Sequence, residues 1–332
     1  MSTSSAAPAG PPACWLAAVR RLLGEPTLTG PEVAAAAGCS YEDARRLWQA
    51  MGLPPVPPGR RIFTDADVTI VRGVTAFMAE ADVEPAVVTR ITRVMGRSMA
   101  QVAEAFLMAL RDRIARDSPS GSETVDERLA DSVMRYVPAT EPVLLHVWRH
   151  ELLAGLLRLL GAVGERGEGL AVAVGFADLA GFTALAQQID DPELAALVER
   201  FETLAYARIV ERGGRVVKMI GDEILFAADD PNAAGEIALA LVEACEADPL
   251  LPPLRVGVAL GPVLAWEGDV YGPTVNLASR LVTMARPRTV LVSHELGLQV
   301  DPARFVCRRL GPVRLRGIGP LRLWVLRRPA AS

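Results

Sequence analysis

The pattern of apolar residues changes once along this chain, at a segment rich in glycine and charge between residues 164 and 169. Before it, apolar residues recur at helical spacing, and after it short β-branched runs alternate with helical segments. A single core rarely grows much beyond about 250 residues, so the 332 residues are predicted to form two domains. We predict a disordered tail over 1–12, an all-helical domain over 13–163 and an α/β domain over 169–328.

The first domain is predicted to contain a series of helices separated by caps, glycines and prolines. Pro31 and Glu32 open one helix, Ser40 caps another and Thr64 caps a third. The predicted spans are 13–23, 31–38, 41–51, a helix from 65, 84–116, 125–136 and 143–163. Pro138 and Pro142 are predicted to separate the last two helices.

The second domain is predicted to follow a β-α-β-β-α-β order, which is typical of a ferredoxin-like α+β fold. Its predicted strands are 170–177, 215–220, 224–228, 255–260, 263–267, 289–293, 304–310 and 321–326. Its predicted helices are 183–213, 231–247 and 274–285.

Composition excludes several classes of protein. A net charge of −4 gives no general argument for binding nucleic acid or an anionic membrane. The four cysteines are scattered, so neither a zinc site nor a disulfide framework is indicated. No run reaches the 18 or so apolar residues of a membrane span, and no basic segment followed by an apolar run marks a signal peptide. We therefore expect a cytoplasmic protein.

The first candidate site is the stretch 176–183, which reads FADLAGFT. Asp178 ends a predicted strand, and Gly181 precedes a helix whose free N–H groups suit a polyphosphate. Asp178 is therefore placed either to hold a metal beside that phosphate or simply to cap the helix.

A second acid, Asp222, falls on the turn between two apolar strands in VKMIGDE, residues 217–223. A hairpin acid alone usually just makes the turn. Together with Asp178 it forms a plausible carboxylate pair for divalent cations bound through substrate phosphates.

The third candidate site is the stretch 269–280, which reads DVYGPTVNLASR. Asn276 and Arg280 are four apart and so share one face of a predicted helix. Such a pair is ordinarily a solvated surface, but beside a phosphate site the arginine can stabilise charge on a reacting phosphorus.

Together the three motifs resemble the class III nucleotide cyclases over about 170–327. The resemblance rests on spacing: Asp178 and Asp222 are 44 residues apart, Lys218 precedes Asp222 by four and Asp269 precedes Asn276 by seven. A GGDEF-type diguanylate cyclase shares the Gly-Asp-Glu string but would not account for Asp269, Asn276 and Arg280.

The resemblance implies an adenylate cyclase that makes cyclic AMP and pyrophosphate from ATP with two divalent cations, Mg²⁺ or Mn²⁺. Its implied roles are as follows: Asp178, Asp222 and the Leu179 carbonyl as metal ligands; Lys218 and Asp269 as the adenine-selecting pair; Gly181, Phe182, Thr183 and Arg316 as phosphate ligands; Asn276 and Arg280 as catalytic residues. In this family the acids and the Asn/Arg pair come from different subunits, which implies a head-to-tail homodimer.

Residues 26–75 resemble a MerR-like winged helix in outline, which raises a second class of function, a DNA-binding or ligand-sensing regulator with a cyclase-like nucleotide-binding domain. Charge argues against DNA, because this segment has five arginines and five acidic residues and no net basic charge.

The arrangement as a whole resembles soluble, acid-responsive class III cyclases, in which a helical domain restrains the catalytic domain. In this chain the linker helix would be 143–163, where His146 and His150 lie on one face. Core packing, a pH switch and a metal pair remain open as roles for the two histidines. A small apolar ligand within the helical domain is a further possibility.

Overall fold

The computed structural model describes residues 13–116, 124–165, 171–311, 313–315 and 319–330. The chain divides between Leu157 and Arg158 into two compact units. The predicted boundary at 164–169 lies slightly farther along the chain.

The first unit is helical, as predicted. Its helices are α1 (Ala13–Leu23), α2 (Gly30–Ala37), α3 (Tyr41–Ala50), α4 (Asp65–Glu80), α5 (Pro85–Arg116) and α6 (Val125–Glu165), the last of which continues past the division.

Helices α2, α3 and α4 form a small core of their own. Thr29 and Glu32 close a capping box at the start of α2, and Ser40 caps α3 by accepting from the amide of Asp43. A single bridge joins Leu28 to Phe63. The core residues are Val33, Ala34, Ala37, Ala44, Leu47, Trp48, Phe63, Val68 and Val71. This segment therefore contains a helix–turn–helix, and one strand-like bridge joins the residues that precede and follow it.

Helix α6 differs from the prediction. It is one helix of 41 residues with Pro138 and Pro142 inside it, so the separate helices predicted over 125–136 and 143–163 were wrong. A proline removes one backbone hydrogen bond but its own dihedral angles are helical. Good helix-forming residues on both sides carry the helix through.

The large apolar residues in the second half of α6 are left open to solvent. Among the described residues of this helix none is buried. Between residues 143 and 160 its large apolar side chains are between 37% and 68% exposed: Val143, Leu144, Leu145, Val147, Trp148, Leu152, Leu153, Leu156, Leu157, Leu159 and Leu160. A surface of this kind on a monomer marks an interaction site.

The second unit contains a seven-stranded sheet in the order β2-β3-β1-β4-β7-β11-β8. Its strands are β1 (Ala171–Leu179), β2 (Arg215–Ile220), β3 (Glu223–Ala228), β4 (Leu254–Pro262), β7 (Thr289–Ser293), β8 (Val306–Arg309) and β11 (Leu323–Arg327). Two short hairpins are formed by β5 (Leu264–Trp266) with β6 (Asp269–Tyr271) and by β9 (Val313–Leu315) with β10 (Gly319–Leu321). The pairs β2–β3, β3–β1 and β1–β4 are antiparallel, which confirms the predicted ferredoxin-like α+β order.

Helices cover both faces of this sheet. They are α7 (Phe182–Ala186), α8 (Asp191–Val210), α9 (Pro231–Ala247), α10 (Pro273–Met284) and α11 (His294–Gln299). One core contains Phe201 of α8 and Ile237 of α9, and the other contains Leu281 of α10. Alternation along β1 sends Ala177 to the first core and Phe176 to the second.

The single helix predicted over 183–213 was wrong. Helix α7 ends at Ala186, and Asp190 caps a new helix, α8, which has a proline in its first turn. Strands β6, β9 and β10 and helix α11 were not predicted either.

Candidate active site

Asp178 lies near the end of β1, between two neighbouring strands. Its register partners are Glu223 on β3 and Arg255 on β4. The Nε of Arg255 donates to Oδ2 of Asp178 at 2.6 Å, and Nη1 of Arg255 donates to the Thr283 carbonyl of α10 at 3.4 Å. The Asp178 carboxylate is thus partly buried beside a fixed cation.

Asp222 sits on the turn between β2 and β3, next to Gly221, whose φ is +64°. The Leu179 amide donates to the Asp222 carbonyl at 3.3 Å, which ties the turn to the end of β1. Burial raises the pKa of the Asp222 carboxyl, and the neighbouring Asp178 raises that pKa further. The structure therefore brings the two predicted acids together.

Glu223 is a third acid at this site, and the sequence analysis did not single it out. Burial raises its pKa to about 7, and the charges of Asp178 and Asp222 contribute to the increase. The only signal in the sequence was its position immediately after Asp222.

The arrangement of these acids bears on whether divalent cations can bind here. In the part of the chain that is described, no group of three or more His, Cys, Asp or Glu side chains is arranged to hold a metal ion. Asp178 and Asp222 form a smaller set, and their mutual repulsion is the kind that a divalent cation relieves. Mg²⁺ typically binds one or two carboxylates and takes its other ligands from water and substrate phosphates, so the pair fits.

Lys218 and Asp269, predicted to select adenine, contact each other. The Nζ of Lys218 donates to Oδ2 of Asp269. Asp269 directly follows the tight turn of the β5–β6 hairpin, where Glu267 and Gly268 both have positive φ. Burial tends to raise the pKa of Asp269, but hydrogen bonds from Lys218 and from the Val270 amide outweigh it and hold that pKa below its usual value.

Asn276 and Arg280 lie on the exposed face of α10, whereas Thr274, Ala278, Leu281 and Val282 of the same helix are buried. Among the described residues, neither Asn276 nor Arg280 has a side-chain partner. The structure therefore places them together, as predicted, and leaves both available.

The predicted phosphate ligands are only partly described. Gly181 has a φ of +82° and is the N-cap of α7, and Phe182 and Thr183 form its first residues. Arg316 lies outside the described residues.

His146 and His150 have their ring centroids 4.5 Å apart on α6, and both are exposed. Within the described chain they do not pack in a core.

Comparison with known proteins agrees with this geometry. Residues 167–328 match the family described as the adenylate and guanylate cyclase catalytic domain, and residues 6–156 match the adenylate cyclase regulatory domain. An adenylate cyclase of Streptomyces coelicolor is 39% identical over 263 residues, which are 79% of this chain and 68% of that protein. The chain belongs to the class III adenylate cyclase family.

Two further relatives extend over more of this class III cyclase. An adenylate cyclase of Glutamicibacter nicotianae is 33% identical and aligns with 89% of this chain and 77% of its own length. A protein of Mycobacterium tuberculosis named pH-sensitive adenylate cyclase is 31% identical and aligns with 95% of this chain and 82% of its own length.

The cyclase is therefore an enzyme with a regulatory and a catalytic domain. In the described ranges, the helices include none with the length and apolar character needed to cross a bilayer.

Proposed function

We propose that this enzyme converts ATP to 3′,5′-cyclic AMP and pyrophosphate at sites shared between two copies of the chain. The observation that carries the proposal is the contact between Lys218 and Asp269. Lys218 is a donor on β2, four residues before Asp222, and Asp269 is an acceptor on β6.

The Lys218–Asp269 pair favours adenine over guanine. The ammonium group can donate to N1 of adenine, and the carboxylate can accept from the 6-amino group. Guanine has a donor at N1 and an acceptor at position 6. Its N1 would therefore meet the donor of Lys218, and its 6-oxygen would meet the acceptor of Asp269. A site built to hydrogen-bond one base discriminates against another base that leaves its donor and acceptor unpaired.

Asp178, Asp222 and the Leu179 carbonyl would hold two divalent cations, Mg²⁺ or Mn²⁺. When bound, such cations lower the pKa of a coordinated hydroxyl and neutralise charge on phosphate. In the reaction, the ribose 3′-oxygen bonds to the α-phosphorus, the bond to the bridging oxygen of pyrophosphate breaks, and the hydroxyl proton is lost to solvent. The chain's residues hold the triphosphate for this step through Gly181, Phe182, Thr183 and Arg316.

Asn276 and Arg280 would complete the site of the other copy, with Asn276 orienting the ribose and Arg280 stabilising charge on the phosphorus. Both are exposed and have no side-chain partner among the described residues of their own chain, which supports a head-to-tail homodimer. The exposed apolar face of α6 also supports a second copy.

The helical domain, residues 13–163, would restrain the catalytic domain, and His146 and His150 would make that restraint sensitive to pH. The name of the M. tuberculosis relative supports a pH-dependent enzyme. A cavity of about 430 Å³ between α3, α4 and α5 is of a size to admit a small apolar ligand.

The structure gives DNA binding little support. On α3 Arg45 pairs with Glu42 and Arg46 with Asp43, and Arg61 pairs with Glu32. Acidic partners share the surface with these arginines, so the segment lacks the basic face of a DNA-binding module.

The proposed function is tested by incubating the purified protein with ATP or GTP and Mg²⁺ or Mn²⁺ and resolving the products by chromatography. Cyclic AMP should form from ATP, with far less cyclic GMP from GTP. Equal turnover of GTP would refute the role of Lys218 and Asp269.

A further inference from the structure

We propose that Thr274 is a positioning residue, which fixes how α10 presents Asn276 and Arg280 to the partner's site. This inference rests on the proposed function, because it concerns the half-site that α10 supplies.

Helix α10 lies unusually close to β4. A Cβ added to Gly257 would come within 2.2 Å of the Val282 backbone nitrogen, and one added to Gly261 would come within 2.7 Å of the Thr274 hydroxyl. Gly257 therefore lets the helix backbone rest directly on the strand, and Gly261 leaves room for the Thr274 side chain. The strip formed by Gly257, Ala259 and Gly261 lets the helix come close but has a single methyl group to fix the position of the helix along the strand.

Thr274 supplies the missing anchor at the start of the helix. Its Oγ1 donates to the Pro262 carbonyl at the end of β4 at 2.7 Å, and the residue is 6% exposed. The N-cap position is Gly272, which has no capping side chain. At the opposite end of α10, the Thr283 carbonyl accepts from Arg255. The helix is thus attached to β4 at both ends, and Thr274 is the side-chain attachment at the end nearer Asn276.

This anchor is aligned with the two catalytic residues. At about 100° per residue, Asn276 lies about 200° and Arg280 about 240° around the helix from Thr274. When Thr274 faces the strand, both residues therefore point away from the sheet, which agrees with their exposure. Any rotation of α10 about its axis would displace both together.

The effect on catalysis follows from which half-site is disturbed. Lys218, Asp178 and Asp222 lie on other elements, so ATP binding should survive. A displacement of about 1 Å in a reacting geometry can cost on the order of a hundredfold in rate. Loss of the anchor should therefore lower kcat and leave KM for ATP nearly unchanged.

The first test compares three variants of the full-length enzyme. Thr274→Val keeps the shape and removes the hydroxyl, Thr274→Ser keeps the hydroxyl, and Thr283→Val removes a hydroxyl that bonds only within α10, to the Ser279 carbonyl at 3.0 Å. We expect Thr274→Val to lower kcat at least about tenfold with KM within about twofold, and the other two to stay near wild type. Equal losses in Thr274→Val and Thr283→Val, or a loss seen only in KM, would overturn the inference.

The second test assigns Thr274 to a half-site by mixing variants. Asp178→Ala retains a normal α10, so mixing it with Thr274→Val creates one intact site in each mixed dimer and should restore about a quarter of wild-type activity. Mixing Thr274→Val with Arg280→Ala should restore nothing, because both changes affect the same half-site. Restoration by both partners, or by neither, would contradict the role of Thr274.

The two proposals fail in different ways. If Asp178→Ala and Arg280→Ala do not complement each other in demonstrated mixed dimers, the shared site itself is wrong. If they do complement and Thr274→Val is not rescued by Asp178→Ala, only the positioning role is wrong. Should Thr274→Val fail to fold, Gly261→Ala replaces it. The added Cβ would push the Thr274 hydroxyl away from the Pro262 carbonyl without removing that hydroxyl. The same loss of kcat and the same mixing pattern are expected, and their absence would overturn the inference.

Discussion

Arg255 donates from Nε to Oδ2 of Asp178 at 2.6 Å across the β1–β4 pair, so the acid proposed as a metal ligand already has a cation beside it. The same acid lies near Asp222 and Glu223, both of which have raised pKa values. In the metal-free protein Arg255 is therefore the positive charge that holds a cluster of carboxylates together.

Replacing Arg255 should destabilise the metal-free enzyme in a way that metal reverses. Arg255→Gln is expected to lower the free energy of unfolding by about 1–3 kcal/mol in EDTA, because it leaves partly buried carboxylates without a counter-charge. Saturating Mn²⁺ should recover most of this loss. Denaturant unfolding with and without Mn²⁺ measures both.

The matched control is Arg200→Gln, which removes a salt bridge to Asp248 (2.5 Å) elsewhere in the same unit. Its cost should be the same with and without Mn²⁺. If Mn²⁺ fails to recover Arg255→Gln, the acids are not the metal site.

Glu223 should make the metal-free protein less stable as pH rises. Its pKa is about 7 in the folded protein against an ordinary 4.5, so the folded state binds more protons between these values. Stability linked to this group is therefore present below about pH 4.5 and is lost as pH rises through about 7. Glu223→Gln should be the more stable protein at pH 8, by roughly 1–3 kcal/mol, and similar to wild type near pH 4.5.

Unfolding midpoints in EDTA from pH 4.5 to 8 measure the effect of Glu223. Glu199→Gln, at an exposed position of α8, serves as the control. If wild type and Glu223→Gln follow parallel curves, the carboxyl is not protonated in the folded state near neutral pH.

Lys218 and Asp269 should act on base selectivity as one unit. Lys218→Gln and Asp269→Asn are each expected to lower the ratio of ATP to GTP turnover by about tenfold to a hundredfold. Because the two side chains bond to each other, the double variant should lose less than the product of the single losses. Strictly multiplicative losses in kcat/KM would mean that the residues act independently.

Asp178→Ala and Arg280→Ala should each be nearly inactive, and their equimolar mixture should regain about a quarter of wild-type activity. Half of the dimers in a random mixture are mixed, and each mixed dimer has one intact site. Cyclic AMP formation by the separate and mixed proteins measures this. If mixing restores nothing although mixed dimers form, the acids and Arg280 do not belong to a shared site.

The sequence predicted best those features that depend on local pattern. Helix α9 and strands β2 and β7 have the predicted bounds, because caps, turn residues and apolar period agree in those segments. The acids Asp178 and Asp222 could be paired because a known spacing connects strands that are neighbours in the sheet.

The features that were missed depend on contacts between distant segments. Arg255 is 77 residues from Asp178, and nothing local marks it as the partner of that acid. Glu223 owes its raised pKa to burial and to neighbours in the folded sheet. The continuity of α6 through Pro138 and Pro142 depends on the helix-forming residues around them, which a rule based on single prolines does not weigh.

The final prediction concerns the chain's three histidines, since His146 and His150 lie on α6 and His294 lies on α11. Histidine is the side chain whose ordinary pKa, about 6.5, falls in the physiological range. If the restrained state holds His146 and His150 neutral and buried while the active state exposes them, protonation favours the active state, so activity should rise as pH falls. A shift of this kind requires that the two states differ in proton affinity.

Replacing both His146 and His150 by alanine should flatten the activity profile of the full chain between pH 5.5 and 8, whereas His294→Gln should leave the shape of that profile unchanged. A chain beginning near residue 164 should also give a flatter profile and be more active at pH 8. An unchanged profile in the double variant would eliminate these two histidines as the sensor, and a profile altered only by His294→Gln would move the sensor to the catalytic unit.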